Sequence, residues 1–243
     1  MRRRTLVCVA AVACFVATIA GAPTAPAESD IAGKTVFLDP GHSGANDSSI
    51  ARLVPNGRGG TKPCQTSGTA AEDGYPEHSL SWDVTTRIRA ALDQRGVHTE
   101  LSRGDDTSPA ACIDARAAAA NAARPDAIVS IHADGGPASG RGFHVNYSSP
   151  PLNDAQSGPA VRLAGDIRDS LAAAGIPESN YLGADGLYGR SDLAGLNLAE
   201  YPAVLVELGN MRNADDAALL ESPDGRARYA AAVTAGIIAF LGR

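Results

Sequence analysis

Beyond Lys34 the chain alternates short apolar runs with longer stretches whose apolar residues recur at helical spacing. Thr35-Val36-Phe37-Leu38 is such a run, bounded by Pro40-Gly41, and has the pattern of a strand buried on both faces. Over residues 77–95, Leu80, Val84, Ile88 and Ala91 fall on one helical stripe, and Gly96 predicts the helix end. Residues 97–101 read as a second strand, 108–123 as an Ala-rich helix halted at Arg124-Pro125, and 127–131 as another buried strand. Phe143, Val145 and Tyr147 alternate with Gly142, His144 and Asn146, which predicts a strand with one polar face. A helix over 156–174, a buried strand at 203–206 and a last helix with Tyr229, Val233, Ile237 and Phe240 on one stripe complete the series. The alternation predicts a single α/β domain: a central, mostly parallel (mixed) sheet flanked by helices on both faces.

Residues 45–76 interrupt this rhythm. They are rich in Gly, Ser, Thr and Pro and read as a long inserted loop. Ahead of the domain, Arg2-Arg3-Arg4, an apolar run and Ala25-Pro26-Ala27 match a signal peptide over residues 1–27. The run is shorter than the ~20 residues a membrane span needs, so no stable membrane anchor is expected after processing; an uncleaved anchor is the alternative. Residues 28–33 are then a short linker and 34–243 the folded domain. Removing 27 of 243 residues leaves 216, enough for one core, and losing three arginines and no acid takes the formal charge from −6 to −9. That balance excludes nucleic acid as a partner. The expected location is secreted, in a periplasmic or cell-wall compartment. Cys8 and Cys14 leave with the leader, so Cys64 and Cys112 predict a disulfide, with two buried thiols as the alternative. A lone pair of cysteines makes no structural zinc site, which needs four ligands.

Candidate chemistry gathers at strand ends. His42 follows the first strand through Asp39-Pro40-Gly41, His132 ends one buried strand, and Glu207 ends another. Ligands of open parallel sheets collect beyond the carboxyl ends of the strands. Glu77 reaches the same region differently: it lies in the first turn of its helix, on the buried stripe with Leu80, Val84 and Ile88. A buried carboxylate needs a partner, and a metal ion would supply one; a helix-start acid satisfying free N–H groups accounts for it equally well. Two histidines and a carboxylate, with a water in the fourth position, make a catalytic zinc set. Glu207 fits the second carboxylate that such hydrolysis needs as proton acceptor and donor. Singly each signal is weak; their coincidence carries the reading. His78, His98 and His144 are read as structural or exposed, and Asp39 as either a turn residue or a carboxylate orienting His42.

These residues also resemble a known family. Leu38-Asp39-Pro40-Gly41-His42 is similar to the opening motif of the zinc-dependent N-acetylmuramoyl-L-alanine amidases, and Glu77 with Leu80 to the glutamate that opens their first helix. Leu101-Ser102-Arg103, Arg116 and Asn121 follow the next landmarks, Ser130-Ile131-His132-Ala133-Asp134 resembles the second histidine motif, and residues 202–209 resemble the catalytic glutamate motif. The resemblance implies one Zn2+ on His42, Glu77 and His132, and Glu207 as the catalytic acid/base. It implies cleavage of the amide between N-acetylmuramic acid and L-alanine, in peptidoglycan or muropeptides; a monomer is the expected state. Three departures stand out: Asp134 replaces a usual asparagine, Asn210 replaces a usual aromatic, and the 45–76 stretch is longer than the family norm. Asp134 and Asn210 are therefore candidates for substrate or outer contacts, and the loop is expected to border the substrate groove and limit access.

Three rival readings have distinct signatures. Gly41-His42-Ser43-Gly44-Ala45 nearly matches a serine nucleophile elbow, but lacks the final glycine. A zinc peptidase acting within stem peptides would use the same metal set. A catalytically inactive wall-binding module is the non-enzymatic alternative.

Overall fold

A computed structural model describes residues 31–243; the expected signal peptide lies outside the described residues. The strands are β1 (Thr35–Pro40), β2 (Leu53–Pro55), β3 (Thr61–Pro63), β4 (His98–Leu101), β5 (Ala127–Asp134), β6 (His144–Ser148), β7 (Leu187–Arg190) and β8 (Ala203–Asn210). The α-helices are α1 (Glu77–Asp93), α2 (Ile113–Ala123), α3 (Asp154–Ser157), α4 (Pro159–Ala173), α5 (Ala194–Asn197), α6 (Ala214–Glu221) and α7 (Pro223–Leu241).

A six-stranded sheet runs β4-β1-β5-β8-β6-β7. β4, β1, β5 and β8 pair in parallel, and β6 is antiparallel to β8, so the sheet is mixed and mostly parallel, as expected. Alternate residues of the central strands feed two cores. Leu38, Val129, Ile131 and Val206 join Leu80, Ile88, Ile167 and Ile237 in a large core under α1, α4 and α7. Phe37, Ile128 and Ala203 face the other way and meet Ala120, Leu196 and Ala199 in a smaller one under α2 and α5. At roughly 1.5–3 kcal/mol per fully buried large apolar side chain, the first core dominates the stability.

Several boundaries differ from the sequence expectation. β5 and β8 continue past residues 131 and 206, because His132 pairs with Glu207 and Asp134 with Asn210 in the same ladder. The helix expected from residue 108 begins at Ile113, after Cys112, whose sulfur is tied to Cys64. The helix expected over 156–174 is split at Gly158-Pro159, where Pro159 starts α4. The supposed polar face of β6 is buried: His144 is 1% and Asn146 0% exposed. Asn146 donates to the Leu205 carbonyl, and the rings of Tyr181 and Tyr188 meet His144 edge-on.

The 45–76 insertion is built rather than featureless. It holds a 3-10 turn at Ser48–Ala51 and an antiparallel hairpin of β2 and β3. Arg58, beyond the end of β2, donates to Asn197, Ser148 and the Pro150 carbonyl, fastening the tip to α5 and β6. The Cys64–Cys112 disulfide closes a loop of 48 residues and fastens the base to α2. Replacing both cysteines by serine is expected to lower stability by up to about 4 kcal/mol; urea unfolding of the two proteins measures it, and unchanged stability would refute a structural role for the staple.

Candidate active site

Glu77 is where the site begins. It is the first residue of α1, its side chain is 5% exposed, and an unpartnered carboxylate in that position would cost several kcal/mol. Each oxygen is engaged: Thr69 N donates to Oε2 at 2.9 Å and Ala133 N to Oε1 at 3.2 Å. Oε1 also lies 2.9 Å from His42 Nε2 and 2.9 Å from His132 Nδ1, and the two imidazole nitrogens are 3.2 Å apart. The sequence-predicted trio is thus brought to one point.

The donor set suits a divalent ion. His42 Nδ1 is 2.9 Å from the Thr66 carbonyl. With the ring proton of Nδ1 directed at that acceptor, Nε2 is turned toward a carboxylate oxygen. A positive charge on that line, carried by a metal ion or by a second ring proton, satisfies both atoms. Zinc bonds of about 2.0–2.1 Å in a tetrahedron give ligand–ligand edges of about 3.3 Å, close to the spacings found. Burial alone would push the Glu77 carboxyl up, but its contacts with His132 and His42 prevail and hold it below the ordinary carboxylate range.

Backbone shape serves this convergence. A side chain at Gly41 would run into the His132 imidazole. At Gly68, which has φ +83°, a Cβ would press at 3.0 Å on both Glu77 and the His42 ring. His42 itself has φ 60°, a left-handed conformation uncommon for a residue with a side chain.

Glu207 lies directly opposite His132 on the adjacent parallel strand. Its Oε2 is buried with no hydrogen-bond partner among the described residues. Burial, then the charges of Glu77 and Asp134, push its carboxyl well above the ordinary range. Asp134 lines the same cleft of about 410 Å³ and accepts a 3.0 Å hydrogen bond from the Tyr181 hydroxyl. Asn210 is placed elsewhere. It is fully buried and donates to the Pro137 and Gly140 carbonyls, which shapes a loop rather than touching the cleft.

Asp39 does not reach the His42 ring. Its carboxylate takes hydrogen bonds from Ser102 at 2.5 Å and Ser130 at 2.7 Å, and pairs with Arg116 at 3.2 Å. The partner that orients His42 is a main-chain carbonyl in the insertion, and a carbonyl has no side-chain signature in the sequence. His78 is half-buried rather than exposed, bonded at 2.8 Å to Asp106. His98 is exposed on the edge strand β4.

With this geometry in place, comparison with known proteins is informative. Residues 36–239 match the N-acetylmuramoyl-L-alanine amidase family. The chain belongs to that family. An N-acetylmuramoyl-L-alanine amidase of Mycobacterium tuberculosis is 62% identical over 92% of both chains. The crystal structure of an N-acetylmuramyl-L-alanine amidase of Mycobacterium smegmatis is 65% identical, with a TM-score of 0.87 over 88% of this chain and 99% of that one. One from Mycobacterium abscessus, solved in its apo form, is 61% identical with a TM-score of 0.85, over 86% and 99%. The sheet and the His42, Glu77, His132 cluster of this amidase are therefore set in a family fold.

Two expectations follow. Equilibrium dialysis of the amidase should find one zinc per chain, and His132→Ala should lose it while keeping a folded circular-dichroism spectrum; retention of zinc by that variant would remove His132 from the site. Burial alone would raise Asp39, but Arg116, Ser102 and Ser130 outweigh it and hold the carboxyl at about 2 against an ordinary 3.8. A depressed folded-state value stabilises the fold above the ordinary value and loses that contribution as pH falls through the folded one. The stability advantage of the wild type over Asp39→Asn should thus be full near pH 5 and shrink between pH 4 and pH 2, as followed by urea unfolding.

Proposed function

We propose that this amidase hydrolyses the amide joining N-acetylmuramic acid to L-alanine in peptidoglycan, with one zinc ion held by His42, Glu77 and His132 and with Glu207 as acid/base. The observation that carries the reading is the meeting of two imidazole nitrogens and one carboxylate oxygen within hydrogen-bonding distance, beside a second carboxylate whose Oε2 has no partner among the described residues. Zinc, when bound, supplies electrophilic polarisation of the attacked carbonyl and a water acidified toward neutrality.

The chain's own groups do the rest. Glu207 Oε2, free of other bonds, accepts the proton of the attacking water and returns it to the leaving nitrogen of L-alanine. Its burial favours the protonated form, which suits the return step. Thr69 N and Ala133 N hold Glu77 in place, and Thr66 O holds the His42 ring. Asp134, fixed by Tyr181, presents a carboxylate to substrate groups entering the cleft. The β2–β3 insertion supplies Lys62, Gln65 and Thr66 to the cleft wall, which supports the reading that it borders the groove. Removal of residues 1–27 outside the cytoplasm and action as a monomer complete the proposal.

A peptidase cutting inside the stem would use the same metal set, so product identity is the deciding measurement. Mass spectrometry of digested muropeptides should show free stem peptides beginning with L-alanine and intact muramic acid carboxyls; cuts within the stem would transfer the chain to the peptidase reading. Glu207→Gln should lower kcat by roughly 10²–10⁴-fold with zinc content unchanged. A variant that remained active would take the proton-transfer role from Glu207, and a wild type that bound wall fragments without hydrolysing them would revive the wall-binding alternative.

A further inference from the structure

We propose that Arg116 is the positioning residue for the metal ligand His42, and that through it the disulfide-anchored segment becomes a working part of the metal centre. The left-handed backbone of His42 is disfavoured for any residue with a side chain, so its surroundings must hold it. Arg116 does so from α2, with its side chain 4% exposed. Its Nη2 donates to the His42 carbonyl at 2.8 Å and to Gln65 Oε1, its Nη1 to Asp39 Oδ1 at 3.2 Å, and its Nε to the Ala111 carbonyl at 2.8 Å.

The positions of these acceptors give the arrangement its meaning. Gln65 follows Cys64 and Ala111 precedes Cys112, so the guanidinium binds the residues flanking both halves of the disulfide. The next residue, Thr66, offers the carbonyl that meets His42 Nδ1. His42 is therefore gripped at its main chain by Arg116 and at its ring by the stapled segment. Ser102 and Ser130 fix Asp39, and Asp39 fixes the guanidinium. Arg103 secures the preceding Pro40 and Gly41 carbonyls, at 3.1 and 3.3 Å. Only a planar fork with five donors serves four acceptors in these directions; an ammonium group does not. This inference rests on the proposed zinc site and assigns Arg116 a role that metal affinity, rather than stability, reports.

The test is zinc affinity by competition with a chromogenic chelator, measured beside thermal unfolding. Arg116→Lys keeps a cation for Asp39 and loses the bonds to His42 and Ala111. The folded variant is expected to bind zinc roughly 10–100-fold more weakly, with KM unchanged and the His42 Nδ1–H resonance of the metal-free protein shifted. Wild-type zinc affinity in that folded variant would overturn the proposal. If Arg116→Lys does not fold, Asp39→Asn combined with Arg116→Gln removes both charges of the buried pair, and the same loss or its absence decides. Should neither fold, zinc is titrated into the wild type and the Arg116 guanidinium ¹⁵N resonances are followed; a shift supports the coupling and unmoved resonances overturn it. A wild type that binds no zinc would instead dispose of the metal-centre reading itself.

Discussion

The structure turns on one buried carboxylate. Glu77 opens α1 facing inward, where an ion without partners would be costly. Its compensation is drawn from segments far apart in the chain: Thr69 before the helix, Ala133 on β5, and the imidazoles of His42 and His132. Those contacts bring together the end of the insertion, the turn after β1 and the carboxyl end of β5. The same atoms that solve a folding problem assemble the candidate catalytic centre, so fold and site are one electrostatic arrangement.

A parallel sheet makes such an arrangement legible. Strands buried on both faces carry unbroken apolar runs, so a charged residue at their carboxyl ends stands out, as His132 and Glu207 do. The helical stripe through Leu80, Val84 and Ile88 likewise disclosed that Glu77 faces inward. What escaped is equally physical. β2, β3 and α5 are a single turn or a few residues long, and side-chain bonds such as those of Arg58 hold them rather than a local pattern. In β6, alternation suggested solvent where two tyrosine rings and an Asn146 hydrogen bond close the face instead. Main-chain acceptors such as Thr66 O leave no residue-type signature at all.

The insertion changes meaning once its contacts are known. A stretch rich in glycine and serine reads as a long loop, and it is fastened at its tip by Arg58 and at its base by a disulfide. Between those fixed points, residues 65–69 place one carbonyl on His42 and one amide on Glu77. The insertion therefore reaches the ligands themselves, and Asp39 and Arg116 connect the two sides in the protein interior.

Finally, His132 and Glu207 face each other across a parallel strand pair, so the separation of ligand and acid is set by the sheet repeat of about 4.8 Å and not by flexible connections. Because successive side chains on a strand point to opposite faces, a slip of one position would send Glu207 to the far side of the sheet. Errors in this pairing would leave no half-working molecules. Activity lost through such mispairing would then reflect a mixture of intact and dead molecules, distinguishable by titrating active sites.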